Sequence, residues 1–193
     1  YGSTPAGIAA ATAAGQLGMS VALYEPLKMI GGMGAAGNLA LHDGSASTVW
    51  TGLAKNFTML NAEYYNVTKP VAQPESFVAN ASFYKMLNAA GVKTVALDCR
   101  LTSATGSGVA ASSHKVESIS VLCEPAPVTA SVFIDASYDG EVMVAVGGVD
   151  YTHGREAKSV YNETLAGARE PTAGGPVVNA LWDNGTIIKY VQN

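Results

Sequence analysis

Charge is scarce in this chain. Charged side chains make up 13% of the 193 residues, with 11 Lys and Arg against 15 Asp and Glu, and the net charge is −4. With no Lys/Arg run anywhere, neither a nucleic acid nor an anionic membrane surface is indicated as a partner. Cysteine is limited to Cys99 and Cys123, whose spacing suits no metal; a buried pair of thiols and a disulfide both remain open. Histidine is limited to His42, His114 and His153. A long, strongly apolar run is also missing. Residues 1–24 carry no charged side chain, but they are rich in Ala and Gly and are broken by Pro5, Gly15, Gln16, Gly18 and Ser20. A membrane span needs about 20 strongly apolar residues, so neither a span nor a signal core fits this stretch. The shortage of charge does not mean disorder: 48% of the chain is hydrophobic and 21 residues are glycine, the balance of a globular protein.

What is present begins with Gly2-Ser3-Thr4-Pro5-Ala6-Gly7, which opens an alanine-rich run from Ile8 to Leu17 ending at Gly18. An apolar segment, Val21 to Tyr24, follows and closes on Glu25. This order is the turn, helix and second strand of a dinucleotide-binding unit. Gly2 allows a sharp turn off a strand end, and Gly7 lets the helix lie close to the sheet. The helix N-terminus then directs free N–H groups and a partial positive charge at a pyrophosphate. Glu25, 18 residues past Gly7, is near the spacing of the acid that holds ribose hydroxyls. The middle glycine of the fingerprint is replaced by Thr4. A threonine keeps the backbone N–H and adds a hydroxyl, but holds the backbone further from a phosphate. The turn stands at the start of the sequence, where a parallel sheet needs a preceding central strand. The expectation is a fragment of a longer protein with its first strand truncated.

After Glu25 and Pro26 comes Gly31-Gly32-Met33-Gly34-Ala35-Ala36-Gly37, a loop whose glycines let backbone press against a flat ligand. An ordinary flexible connector explains the glycines equally well. Residues 47–65 have helical spacing, with Val49, Trp50, Leu53, Phe57, Leu60 and Tyr64 on one face read as core. Pro70 and Pro74 break the chain, and a second helix is predicted from about Glu75 to Ala90, with Phe77, Phe83, Tyr84 and Leu87 apolar and Gly91 as its stop. Strands are predicted at Val92–Leu97, Arg100–Ala104, Val116–Leu122 and Ser131–Ile134, with a turn at Gly106-Ser107-Gly108. Short consecutive strands of this kind suggest a small antiparallel layer added to a parallel-sheet domain. The last strand runs into Asp135-Ala136-Ser137-Tyr138-Asp139-Gly140-Glu141 and an apolar helix from Val142. An Asp at that place is either part of a second ligand-facing turn or simply a helix cap.

Asn56, Asn66, Asn80, Asn162 and Asn184 each begin an Asn-x-Ser/Thr triplet, the N-glycosylation pattern. Chance would place about 1.5 such triplets when Ser or Thr two residues on is the only demand. The excess suggests a secreted glycoprotein, with a cytoplasmic enzyme as the other option. Asn80 falls in a predicted helix, where a glycan need not be added.

Taken together, Gly2 to Ala11, then Glu25-Pro26, then Ile30-Gly31-Gly32-Met33 resemble the N-terminal part of FAD-dependent oxidoreductases of the glutathione-reductase-like flavoprotein fold, in the branch with a TPAG turn and a GGM flavin loop. Phe133 to Glu141 resembles the later IDAT-x-DGD segment of that branch, and Tyr151 to Glu156 with Tyr161-Asn162-Glu163 the stretch after it. The resemblance covers most of residues 1–167 in order. It implies an α/β fold, with a Rossmann-like FAD-binding parallel sheet, helices on its faces and the antiparallel layer. By that resemblance Gly2, Thr4, Pro5, Ala6 and Gly7 hold the FAD pyrophosphate, and Glu25, with Pro26 after it, the adenosine ribose. Gly31, Gly32 and Met33 lie beside the ribityl chain and isoalloxazine, and the backbone of Leu101 meets the adenine. Asp135, Ala136, Ser137, Asp139 and Gly140 close over phosphates and ribitol. Ser137 and Tyr138 depart from the Thr and Gly of the pattern, and Tyr138 is bulky enough to crowd the cofactor.

The implied domains are residues 1–167 for FAD, with inserted helices at about 47–90, and 168–193 as the start of a substrate or cap region. The implied reaction is hydride removal from a small organic molecule to the flavin. No catalytic base is assigned; His42, after the flavin loop, is the candidate, and no metal site is expected. Two other readings compete: an NAD(P)-binding enzyme without flavin, which leaves residues 31–33 and 135–140 without a task, and a truncated, non-catalytic product that keeps part of the fold.

Overall fold

Alanine has the highest helix propensity of any residue, and the run after Thr4 uses it. Helix α1 spans Pro5–Gln16 in the computed structural model, which describes residues 1–37, 50–107 and 115–148. Its buried positions Gly7, Ile8, Ala11 and Thr12 form one stripe. Further along, a β-carbon at Gly15 would collide with the carbonyl of Ala90, so the helix can approach its neighbour there without a side chain between them. The chain then leaves through Gly18, at φ +79°, into strand β1, Ala22–Tyr24.

Helices α2 (Gly52–Tyr64) and α3 (Ser76–Ala89) make the crossover to β2, Thr94–Ala96, which lies parallel to β1 with Leu23 opposite Val95. Main-chain bonds extend this pair on the far side of β1. Gly2 N donates to Tyr24 O at 2.8 Å, Tyr1 N to Ile134 O at 2.7 Å, and Ala136 N to Tyr1 O at 2.8 Å. The last two bonds, from one residue to both neighbours of Asp135, are the slanted pattern of a parallel pair. Tyr1 and Gly2 therefore lie between β1 and the segment 134–136. The antiparallel layer is β3 (Leu101–Ser107), β4 (Lys115–Val121) and β5 (Val128–Thr129), followed by the short helix α4, Glu141–Val146. The architecture is mixed α/β and Rossmann-like, with the expected antiparallel layer.

Alternate residues of the parallel strands feed two cores, as the period of a strand requires. Leu23, with Val95 and Leu97, faces the cluster of Ile8, Ala11, Ile30, Ala79, Phe83, Met86 and Leu87 between α1 and α3. Tyr24 and Ala96 face the opposite cluster with Tyr1, Cys99, Ile119, Val121 and Val142. Tyr1 Oη accepts the Leu101 N–H at 2.9 Å, and burial pushes this phenol up to about 12. Phe57 of α2 stacks on Phe83 of α3 with ring centroids 4.3 Å apart.

Several sequence expectations are corrected in detail. The helix expected from residue 47 begins at Gly52, with Thr51 extended before it at φ −133° and Gly52 itself at φ +54°; residues 47–49, Val49 among them, lie outside the described residues. Tyr64, expected in the core, is exposed and pairs edge to face with the exposed Phe77. Gly106 and Ser107 are not a turn but the end of β3, beside a register shift. A β-carbon at Gly106 would meet Lys115 O at 2.7 Å and Val146 Cγ1 at 2.9 Å, so glycine there admits β4 and α4. Ser131–Ile134 forms no regular strand; its Ile134 O accepts from Tyr1 N, and just beyond it Ala136 N donates to Tyr1 O. Gly108 and the 167/168 boundary fall outside the described residues, and Tyr1–Gly148 makes one compact unit.

Cys99 and Cys123 are bonded to each other, with Cα atoms 4.9 Å apart, across a sequence separation of 24. The bridge ties the entry of β3 to the exit of β4. A cross-link of that span stabilises by about 3 kcal/mol through the unfolded state. Cys123→Ser in the full-length protein is therefore expected to lower the urea midpoint, and dithiothreitol to lower the wild-type midpoint to match. Identical midpoints for oxidised wild type and variant would show that the bridge does not form.

Candidate cofactor-binding site

The turn before α1 is held by contacts that tolerate no side chain. Gly2 has φ +92°, and a β-carbon there would stand 2.7 Å from Ser137 N and 2.8 Å from the Ala136 carbonyl carbon. A β-carbon at Gly7 would collide with the carbonyl oxygen of Gly2. Thr4 caps α1: its Oγ1 accepts from Gly7 N at 3.3 Å and donates to Ala136 O at 2.8 Å. The unexpected threonine thus serves as a bridge to a segment 132 residues away. Pro5 and Ala6 are exposed and the first turn holds no acid, so the positive end of the helix opens to solvent.

The glycine loop lies against this turn. Gly31, at φ +105°, donates its N–H to Ser3 O at 2.8 Å. A β-carbon there would meet the Phe83 ring at 2.9 Å. At Gly32 a β-carbon would collide with Tyr138 Oη, the atom that accepts the Met33 N–H at 2.8 Å. Buried Ile30 and Ala35 anchor the loop at both ends, and α3 grips the same points: Asn80 Nδ2 donates to Ile30 O at 3.3 Å, and Ser76 Oγ to Ala35 O. Met33 itself is 51% exposed.

The third segment is stiffened by Asp135. Its Oδ1 accepts from Ser137 N at 3.1 Å and Ser137 Oγ at 2.6 Å; its Oδ2 accepts from Val142 N at 2.8 Å and Met143 N at 3.1 Å. A carboxylate offers about four acceptor positions, so Asp135 is fully engaged as the cap of α4. Ser137 Oγ accepts a further bond from Glu141 N at 2.8 Å. Gly140, at φ +68°, turns the chain into α4, and Asp139 is exposed at the mouth of the loop.

Three segments far apart in sequence, 2–7, 31–33 and 135–140, are therefore brought together. Glu25 is buried beneath them, at 5% exposure. It accepts from Ser3 N at 2.7 Å, from Ser3 Oγ and from Leu27 N at 2.9 Å, so three of its acceptor positions lock the turn to the end of β1. Pro26 follows it, half-buried. The Leu101 N–H is engaged by Tyr1 Oη, and the Arg100 carbonyl accepts from Leu122 N at 2.9 Å. His42, His114 and His153 lie outside the described residues. Sequence reasoning missed Ser3, Ser76 and Asn80, small polar side chains in unremarkable surroundings; Tyr138, noted for its bulk, acts through its hydroxyl. Among the described residues no cluster of three or more metal-binding side chains occurs, and no helix is long and apolar enough to cross a membrane.

A family model for FAD-dependent oxidoreductases matches residues 1–185. The chain belongs to that family. No curated protein and no solved structure matches it. The oxidoreductase has the chemistry its cofactor needs: an open, acid-free helix N-terminus fits a pyrophosphate, and a glycine loop with no room for β-carbons fits close approach to a flat ring. The family match favours flavin over a nicotinamide-only enzyme and over a non-catalytic remnant.

Gly2→Val and Gly7→Val are each expected to abolish FAD retention in the full-length oxidoreductase, read as loss of flavin absorbance after desalting. Stoichiometric flavin in either variant would displace the turn from the site. Thr4→Val removes both the Oγ1 cap on Gly7 N and the Oγ1 bridge to Ala136 O, and the bridge alone is worth about 1 kcal/mol. It is expected to weaken FAD binding about fivefold in a fluorescence titration, whereas unchanged affinity would make the Thr4–Ala136 bridge irrelevant to the site.

Proposed function

We propose that this FAD-dependent oxidoreductase belongs to the glutathione-reductase-like branch with a TPAG turn and a GGM loop, and oxidises a small organic substrate. The convergence of residues 2–7, 31–33 and 135–140 is the observation that supports this reading. When bound, FAD supplies the redox chemistry, accepting a hydride from substrate and passing electrons to oxygen or another acceptor. The work of the chain is positioning. The open first turn, with the Ala6 N–H, faces the pyrophosphate, while Gly2, Thr4, Pro5 and Gly7, whose N–H is capped by Thr4, shape the turn around it. Glu25 keeps one acceptor position for a ribose hydroxyl, beside Pro26. Gly31, Gly32 and Met33 back the ribityl chain and ring, while Asp135, Ala136, Ser137, Asp139 and Gly140 close the phosphate side. Leu101, whose N–H is already engaged, meets the adenine through its remaining backbone and side-chain surface. His42 follows the flavin loop and is the residue to test as a base, and residues 168–193 begin a substrate or cap region.

The same reading places the protein in the secretory pathway. The Cys99–Cys123 bond and the five Asn-x-Ser/Thr triplets support it, since structural disulfides persist in oxidising compartments.

The full-length protein is expected to purify yellow and to release one FAD per chain on denaturation. Its visible bands should bleach when dithionite is added without oxygen and return in air. A colourless protein that takes up no FAD on reconstitution would overturn the assignment.

A further inference from the structure

Three of the five Asn-x-Ser/Thr triplets fall in the described residues, and their settings differ sharply. We propose that Asn66 is an N-glycosylation site, and that Asn56 and Asn80 stay unmodified. The proposal rests on the secretory-pathway reading.

Modification at this pattern needs an accessible Asn amide with the hydroxyl two residues on able to approach it, which is why such sites sit in surface loops. Asn66 follows the end of α2 at φ 53°, the left-handed conformation that asparagine tolerates. Its N–H donates to Glu63 O at 3.1 Å, and Val67 N donates to Ala62 O at 2.9 Å, so the backbone is fixed while the residue stays exposed. Asn66, Val67, Thr68, Lys69 and Pro70 are all exposed. Among the described residues nothing holds the Asn66 amide or the Thr68 hydroxyl.

The other two triplets are spoiled by the helices that contain them. Residues two apart in a helix project about 200° from each other, so neither hydroxyl can meet its asparagine. In α2, Asn56 is exposed but Thr58 is 1% exposed, and its Oγ1 donates to Lys55 O at 2.9 Å. In α3, Ser82 is buried, and Asn80 Nδ2 is committed to Ile30 O, next to the glycine loop. Glycan transfer competes with folding. As α2 and α3 form, the triplets inside them are lost, and the one between them stays open.

In the transfer the Asn66 Nδ2–H bond is replaced by an Nδ2–C1 bond to the first sugar. The C1–O bond to a lipid-linked diphosphate donor breaks, the diphosphate leaves with the bonding pair, and the proton passes to solvent. No electron is gained or lost.

The test is site-by-site occupancy in the full-length protein, expressed behind a heterologous leader in a eukaryotic secretory host. Enzymatic release of glycans in ¹⁸O-water marks each formerly occupied asparagine for peptide mapping by mass spectrometry. Label at Asn66, with none at Asn56 or Asn80, is expected. Thr68→Ala, which leaves the left-handed residue untouched, should erase that label, and Thr68→Ser should keep it. An unlabelled Asn66, or label at Asn56 or Asn80 equal to that at Asn66, would overturn the proposal. Failure of the secretory-pathway reading shows elsewhere: protein taken from its own cells would then carry Cys99 and Cys123 as free thiols.

Discussion

No β-carbon fits at Gly2 or Gly7, and the rest of the site follows from that. With both positions bare, the turn lies backbone to backbone against residues 136 and 137, while α1 starts directly over the Gly2 carbonyl. The N-terminus of α1 is then aimed by the sheet rather than by its own flanking loop. Thr4 completes the junction, since one hydroxyl both caps the helix and binds the Ala136 carbonyl. A glycine at that position would have left the two segments without a side-chain tie.

The remaining parts of the fold hold this junction from outside. Ser3 and Glu25 fasten the turn to β1, and Gly31 is fastened to Ser3 in turn. Helix α3 grips the glycine loop through Ser76 and Asn80 and supplies Phe83 and Leu87 to the core beneath it. On the other face, Tyr1 joins the parallel strands to the antiparallel layer through the Leu101 N–H. Burial of that phenol keeps it neutral across the ordinary pH range, so the contact is not a pH switch. The disulfide fastens the same layer from its far end.

Much of this was legible in the sequence where the signal is local. The glycine spacing marked the turn, alanine marked α1, and Pro74 with Gly91 bracketed α3 closely. Misreadings arose where a local signal had a remote cause. Gly106 resembles a turn glycine, yet its bareness admits β4 and α4. Thr4 looked like a defect in the fingerprint because its partner lies 132 residues away. Glu25, read as ligand-facing, and Asp135, read as either ligand-facing or a helix cap, spend most of their acceptor capacity on the protein's own N–H groups and hydroxyls. Acids that shape a binding turn and acids that touch a ligand have the same sequence signature; counting their hydrogen bonds separates them. The cysteines gave no sign of pairing, because only the fold brings β3 and β4 together.

The central claim is that three distant segments share one cofactor. Hydrogen–deuterium exchange of the full-length oxidoreductase, with and without FAD, tests it most directly. Added FAD should slow exchange together in peptides covering residues 2–8, 30–36 and 134–142, and leave residues 115–121 of β4 unchanged. Protection confined to residues 2–8, with 30–36 and 134–142 exchanging as before, would contradict the account.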